Sequence, residues 1–211
     1  MPAASRTFTA RHVQLTRAAL AAVAALMITF STDHSANLGL SVFGGFAIAT
    51  ALVLALAAII VYPAGRRWPA LILAGLSFVL GMAGGIPALR SDGLFFGLVI
   101  AWAALTGLVE LIAGIRRKGT EGARDAMVVG TLGLLLALAL AIVPAGYLYQ
   151  YTSPQGEALE LTGIIIGVGL FGGYAAIVTV FLGIAGLTPG AKKTVRTDAG
   201  TDRLAEHGGH A

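Results

Sequence analysis

The chain has 211 residues, of which 57% are hydrophobic and only 11% charged, with a formal net charge of +4. Soluble domains carry about a quarter charged residues, so composition argues against a water-facing globule; the absence of cysteine removes disulfides, Cys-ligated zinc, iron–sulfur clusters and thiol nucleophiles. A sequence pI near 9.8 does not point to nucleic acid, because the basic residues sit in short loops between apolar runs and lack interleaved aromatics.

A membrane-spanning helix needs about 20 mostly apolar residues. Six segments meet that description: 13–30, 38–61, 69–86, 94–115, 126–143 and 161–187. The expected fold class is all-α, a polytopic integral membrane protein of six transmembrane helices arranged as three hairpins. Residues 1–12 form an N-terminal tail and residues 188–211 a flexible, Gly-rich C-terminal tail. Pro69 suits a first helical turn, while Pro63, Pro87, Pro144 and Pro189 fall at or just past segment ends, where proline stops a helix.

The first segment is the least regular. Its uncharged core, Ala18 to Thr32, is about 15 residues long, within the range of a signal-peptide core, and Arg6, Arg11 and Arg17 would serve as the preceding basic region. No clean A-x-A cleavage site follows, so an uncleaved helix is expected, with Arg17 snorkelling to the headgroups.

Sidedness follows from the basic residues. Arg6, Arg11 and Arg17 precede the first core, Arg66 and Arg67 join the second and third segments, and Arg116, Arg117, Lys118 and Arg124 join the fourth and fifth. Lys192, Lys193, Arg196 and Arg203 follow the sixth; the remaining loops hold only Arg90. The positive-inside rule then puts both termini in the cytoplasm of a multi-pass protein of the inner (plasma) membrane. The opposite loops carry Asp33, Asp92, Glu157 and Glu160, a mildly acidic outer face, with Tyr147, Tyr149 and Tyr151 as an outer aromatic belt and Tyr62 and Trp68 as an inner one.

Helices in lipid associate through small residues and buried polar contacts. The GxxxG pairs Gly81/Gly85, Gly93/Gly97, Gly163/Gly167 and Gly169/Gly173 are read as packing positions. So are Gly130, Gly133, Ala137 and Ala141 on the fifth segment, and Ala18, Ala22, Ala25, Ala47, Ala51 and Ala55 on the first two.

Glu110 is the one carboxylate inside an apolar segment, and intramembrane ionisable residues are functional candidates. Trp102, Thr106 and Glu110 recur every four residues and share a helix face, so Thr106 is placed to hydrogen-bond Glu110. The competing reading is structural: Glu110 pairs with Arg116 or Arg117 near the headgroups, or makes a bond between helices. Asp33 and His34 form a candidate pH-responsive pair in the first outer loop; against it stands an ordinary solvated loop in which Asp33 or Ser35 caps the second helix. Arg90 and Asp92 read as a local loop pair. The terminal His207 and His210 lack the preorganisation of a metal site. No catalytic residue, cofactor site or metal site is assigned, and P-loop, HExxH and GxSxG motifs are absent. Polar groups within the segments are counted as Glu110, Thr106, Thr131, Tyr174 and Thr179, too few and too scattered for a membrane-embedded enzyme.

Two stretches carry a family resemblance. FSTDHSANLGLSVFGGFAIATAL (30–52) resembles the first hairpin of the HdeD-like membrane proteins. WAALTGLVELIAGIRRKG (102–119), with its ELI sequence and Ile-Arg pair ahead of the next hairpin, resembles them more closely, and GTLGLLLALALAIVP (130–144) continues the pattern. The resemblance spans about residues 13–187 and is weakest in the long last outer loop. It implies a six-helix inner-membrane protein linked to acid or envelope stress, and it supplies no catalytic residues. Some relatives bear an acyl-CoA synthetase label; an adenylate-forming enzyme is far larger and needs a nucleotide loop that this chain lacks. The expectation is a non-enzymatic membrane protein of HdeD-like type. The alternative is a small transporter or channel with Glu110 as the proton- or solute-coupling group. The expected partner is the lipid bilayer and not nucleic acid; a second copy of the chain or another membrane protein is left open.

Overall fold

The computed structural model describes residues 8–120, 122–152, 154, 156 and 158–188. Arg6, Glu157, Pro189, the four basic residues of the C-terminal tail and the two terminal histidines lie outside them. The described chain is mostly helical: α1 (Ala10–Phe30), α2 (Ala36–Ile60), α3 (Trp68–Gly84), α4 (Asp92–Arg116), α5 (Ala123–Ile142) and α6 (Gly163–Leu187). Five of these, all but α3, are long and apolar enough to cross a membrane. The 17 residues of α3 rise only about 25 Å, and single 3-10 turns, Ala64–Arg66 and Pro87–Leu89, flank it.

The expectation of an all-α chain needs one correction. Between α5 and α6 the long loop folds into two antiparallel strands, β1 (Leu148–Thr152) and β2 (Ala158–Thr162), with Leu148 opposite Thr162 and Thr152 opposite Ala158. Tyr, Leu and Thr in near-alternation suit a pleated ribbon, and Gly156, at φ +86°, supplies a left-handed turn residue. Tyr149 and Tyr151, expected in an aromatic belt, stack with ring centroids 6.2 Å apart on this ribbon. Residues 161 and 162, assigned to the last helix from their hydropathy, belong to β2. The Thr162 hydroxyl instead caps α6 by accepting from the Ile165 N–H. Ser35 and Ser91 cap α2 and α4 in the same way.

The helices pack as a ring in chain order, closed by α1 against α6. The most intimate contacts are α4 with α5, α1 with α6 and α2 with α3, with α1–α2, α3–α4 and α5–α6 looser. The close pairs are thus offset by one helix from the three hairpins expected. Glycine explains the tightest: a Cβ on Gly130 would lie 2.6 Å from the Gly107 carbonyl oxygen, and one on Gly107 would lie 2.8 Å from that of Gly130. Gly133 and Gly114 extend the seam. The α1–α6 contact uses Gly172 against Ile28 and Gly186 against Leu15, and the Arg11 guanidinium donates to the carbonyls of Gly186 and Leu187 at the end of α6. Gly93, Gly97, Gly169 and Gly173, also read as packing positions, face open space instead.

Large apolar side chains, among them Leu52, Ile59, Val79, Leu138, Ile142, Val180 and Ile184, stand more than half exposed around the ring. A protein in water would not leave so continuous an apolar belt uncovered. The core lies inside the ring. Trp102 meets Phe43, Phe46, Phe171 and Tyr174 edge-on, with centroids 5.6 to 6.5 Å apart. Towards the β-ribbon end, buried Leu40, Phe95, Val99, Leu140 and Val168 fill the interior.

Candidate functional site

The other half of the ring, towards the end bearing Arg66 and Arg117, is not filled. A cavity of about 130 Å³ opens there, lined by residues that include Gln14, Arg17, Tyr62, Arg66, Glu110, Arg117 and Asp125. Two polar links cross it from α1. Gln14 Nε2 donates to Asp125 Oδ2 of α5 at 2.6 Å, and one turn deeper Arg17 Nη2 donates to Glu110 Oε1 of α4 at 2.6 Å. The spacing of three places both polar side chains on one face of α1, the face that continues inward as buried Ala21, Ala24 and Ile28.

Among the described residues this is the one salt bridge, and it is buried: the Glu110 side chain is 7% and the Arg17 side chain 21% exposed. Two expectations are corrected here. Arg17 does not snorkel away from the bundle; it turns inward. Glu110 pairs with Arg17 from α1, not with Arg116 or Arg117, because its face of α4 looks across the ring whereas Arg116 is exposed at the helix end. Two charges in an apolar interior are tolerated only when they neutralise each other, and α1 brings the one cation at matching depth.

Past the ion pair lies a much smaller chamber, about 10 Å³, lined by Thr50, Ser77, Trp102, Thr106, Glu110 and Tyr174 among others. Arg17 and Glu110 border both spaces. Thr50, Ser77 and Thr106 each sit about ten residues, or roughly 15 Å, from the basic ends of their helices, near mid-height. The Trp102 indole N–H donates to Ser77 Oγ at 3.1 Å, and the Thr106 hydroxyl donates to the Trp102 carbonyl at 2.6 Å. Thr106 therefore bonds back along its own helix rather than to Glu110, as sequence spacing had suggested. Trp102, Thr106 and Glu110 do share one interior face, all buried. The aromatic cluster around Trp102 forms the far wall.

Asp33 and His34 lie elsewhere, at the β-ribbon end, beside Ser35, Thr162 and Ile165 around a shallow depression. The Asp33 carboxylate accepts from the Ser35 N–H and hydroxyl, the arrangement of a capped loop. Arg90 does not bond Asp92; it reaches the Asn37 carbonyl at 3.5 Å, at the limit of a hydrogen bond.

Sequence reading missed Gln14, Asp125, Thr50 and Ser77. Hydroxyls inside apolar runs were visible in the residue string, but Thr50 and Ser77 were passed over while Thr131 and Thr179, which only bond their own helix carbonyls, were counted. Among the described residues no cluster of three His, Asp or Glu side chains could hold a metal ion. The arrangement can do two things chemically: it holds a buried charge pair at the floor of an open vestibule, and it offers hydroxyls beyond that pair.

An apolar ring of this kind, with its polar groups turned inward, defines a protein whose helices suit a membrane rather than water. Comparison with family models, with curated proteins and with solved structures finds no match.

Proposed function

We propose that the chain is a six-crossing protein of the inner (plasma) membrane, with both ends in the cytoplasm, and that it acts as a small transporter or channel in which Glu110 is the coupling group. The observation that carries this is the buried Arg17–Glu110 pair between an open vestibule and a mid-height polar chamber. Buried charges in membrane helices usually mark substrate, ion or proton paths. Carriers commonly place their site near mid-membrane, reached from one side at a time. The vestibule opens at the arginine-rich end, which the positive-inside rule assigns to the cytoplasm, and the opposite half is packed shut. The test is reconstitution in liposomes with pH- and ion-sensitive dyes inside. Wild-type flux that Glu110→Gln abolishes supports the reading; a wild-type protein that passes neither protons nor solutes sinks it.

A second reading keeps the same placement but no flux: a non-enzymatic HdeD-like protein supporting acid or envelope stress tolerance. Its support is the likeness of residues 30–52, 102–119 and 130–144 to that family, together with the directness of the ion pair, which closes the two charges on each other. A deletion strain with unchanged acid and detergent survival counts against it.

A further inference from the structure

We propose that the small chamber beyond the ion pair binds a single water molecule bridging the Glu110 carboxylate and the Thr50 hydroxyl, and that the species Glu110 handles is a proton rather than a metal cation; this rests on the transport reading and names its coupled species. The first observation is Thr50 itself. Four threonines within the helices, Thr16, Thr106, Thr131 and Thr179, each donate to the carbonyl four residues back. Thr50 is 4% exposed, and its Oγ1 has no partner. Buried hydroxyls in native proteins are satisfied, and where no protein group serves, an internal water does so.

The second observation is size. The chamber holds about 10 Å³, near the room one water needs. A dehydrated divalent cation takes about six or more oxygen ligands, and this space offers one carboxylate and a few hydroxyls, two of which already bond around Trp102.

The third is charge. The groups facing Glu110 are Arg17 from α1, Tyr62 and Arg66 beyond α2, Arg117 at the end of α4, Asp125 from α5 and Tyr174 from α6, while α3 contributes no titratable group to either space. Arg17 cancels Glu110 directly, so the chamber presents no net negative charge to attract a metal ion. A proton requires only hydrogen-bond partners. Hydronium in the vestibule gives its proton to a Glu110 carboxylate oxygen and leaves as water; the ion pair loses its negative member, and Arg17 keeps its charge. The new acid O–H donates to the chamber water, which donates to Thr50 Oγ1. Thr50 is thus a positioning residue, acting through the water.

Infrared difference spectra of the full chain in lipid, recorded between two pH values, test this without any flux measurement. The wild type is expected to show a carboxyl C=O band that Glu110→Gln removes and a water O–H band that shifts in heavy-oxygen water. Thr50→Val is expected to lose the water band and keep the carboxyl band; Thr50→Ser is expected to keep both. A water band unchanged in Thr50→Val, an absent carboxyl band in wild type, or a carboxyl band that responds to sodium, potassium or magnesium at constant pH overturns the proposal. Because no transport is read, loss of this proposal stays distinct from loss of the transport reading, which the liposome assay decides.

Discussion

Arg17 and Glu110, 93 positions apart in the chain, meet at 2.6 Å between the first and fourth helices. The contact ties α1 into the ring beside the cavity that Arg66 and Arg117 also line. It also accounts for the orientation of α1, whose Gln14 makes a parallel link to Asp125. A charge left alone in this place would be far more costly than the pair is beneficial.

Removing one partner is therefore expected to hurt more than removing both. Arg17→Met should lower unfolding stability by about 3 kcal/mol, because Glu110 is then buried without a counter-charge. The double variant Arg17→Met/Glu110→Leu should recover much of that loss. Thermal or denaturant unfolding in detergent, analysed as a double-mutant cycle, measures it; single-variant losses that simply add would show that the pair is not coupled.

The glycine seam between α4 and α5 should discriminate sharply among glycines that look alike in sequence. Gly130→Ala would place a methyl 2.6 Å from both the Gly107 oxygen and the Leu111 nitrogen, backbone atoms that cannot step aside, and is expected to cost about 1–3 kcal/mol. Gly97→Ala and Gly169→Ala face open space and should be neutral or slightly stabilising, since alanine favours a helix by up to about 1 kcal/mol over glycine. Comparative melting of the three variants checks this, and equal losses would refute the seam.

Ser77 should matter to the fluorescence of Trp102. Ser77→Ala leaves the indole N–H without its acceptor in a buried site, at an expected cost of about 1–3 kcal/mol. Trp68, 39% exposed, is the other tryptophan, so the experiment uses a Trp68→Phe background. Unfolding followed by the remaining emission should then shift to lower denaturant. No shift would mean that the Trp102–Ser77 bond contributes nothing.

The absence of cysteine makes topology directly testable. Lys118→Cys, in the α4–α5 turn, should resist a membrane-impermeant maleimide added to intact cells and react once they are opened. Gln150→Cys, on β1, should react from outside. The reverse pattern would invert the protein in its membrane, and the vestibule with it.

Much of the fold was legible beforehand because burial in lipid imposes length and hydropathy on each helix separately. The α1, α2, α4, α5 and α6 segments needed no partner to announce themselves, and Glu110 stood out as a carboxylate in an apolar run. The β-ribbon was missed because Tyr149, Tyr151 and Leu159 read equally well as an interfacial belt, and strand pairing depends on two stretches meeting. Which glycines pack was likewise invisible: Gly93 and Gly97 have the same spacing as Gly163 and Gly167, yet only the second pair meets neighbouring atoms closely.

Sequence alone thus determined the apolar segments, the concentration of cations at one set of turns, and the one acidic residue among them, since these follow from what each stretch does in lipid or water on its own. The tertiary structure decided which cation answers that acid, which helices touch, and where space is left. Those depend on how each helix is rotated about its axis. Rotation is set by the mutual fit of six helix faces, a property of the closed ring that no single segment carries.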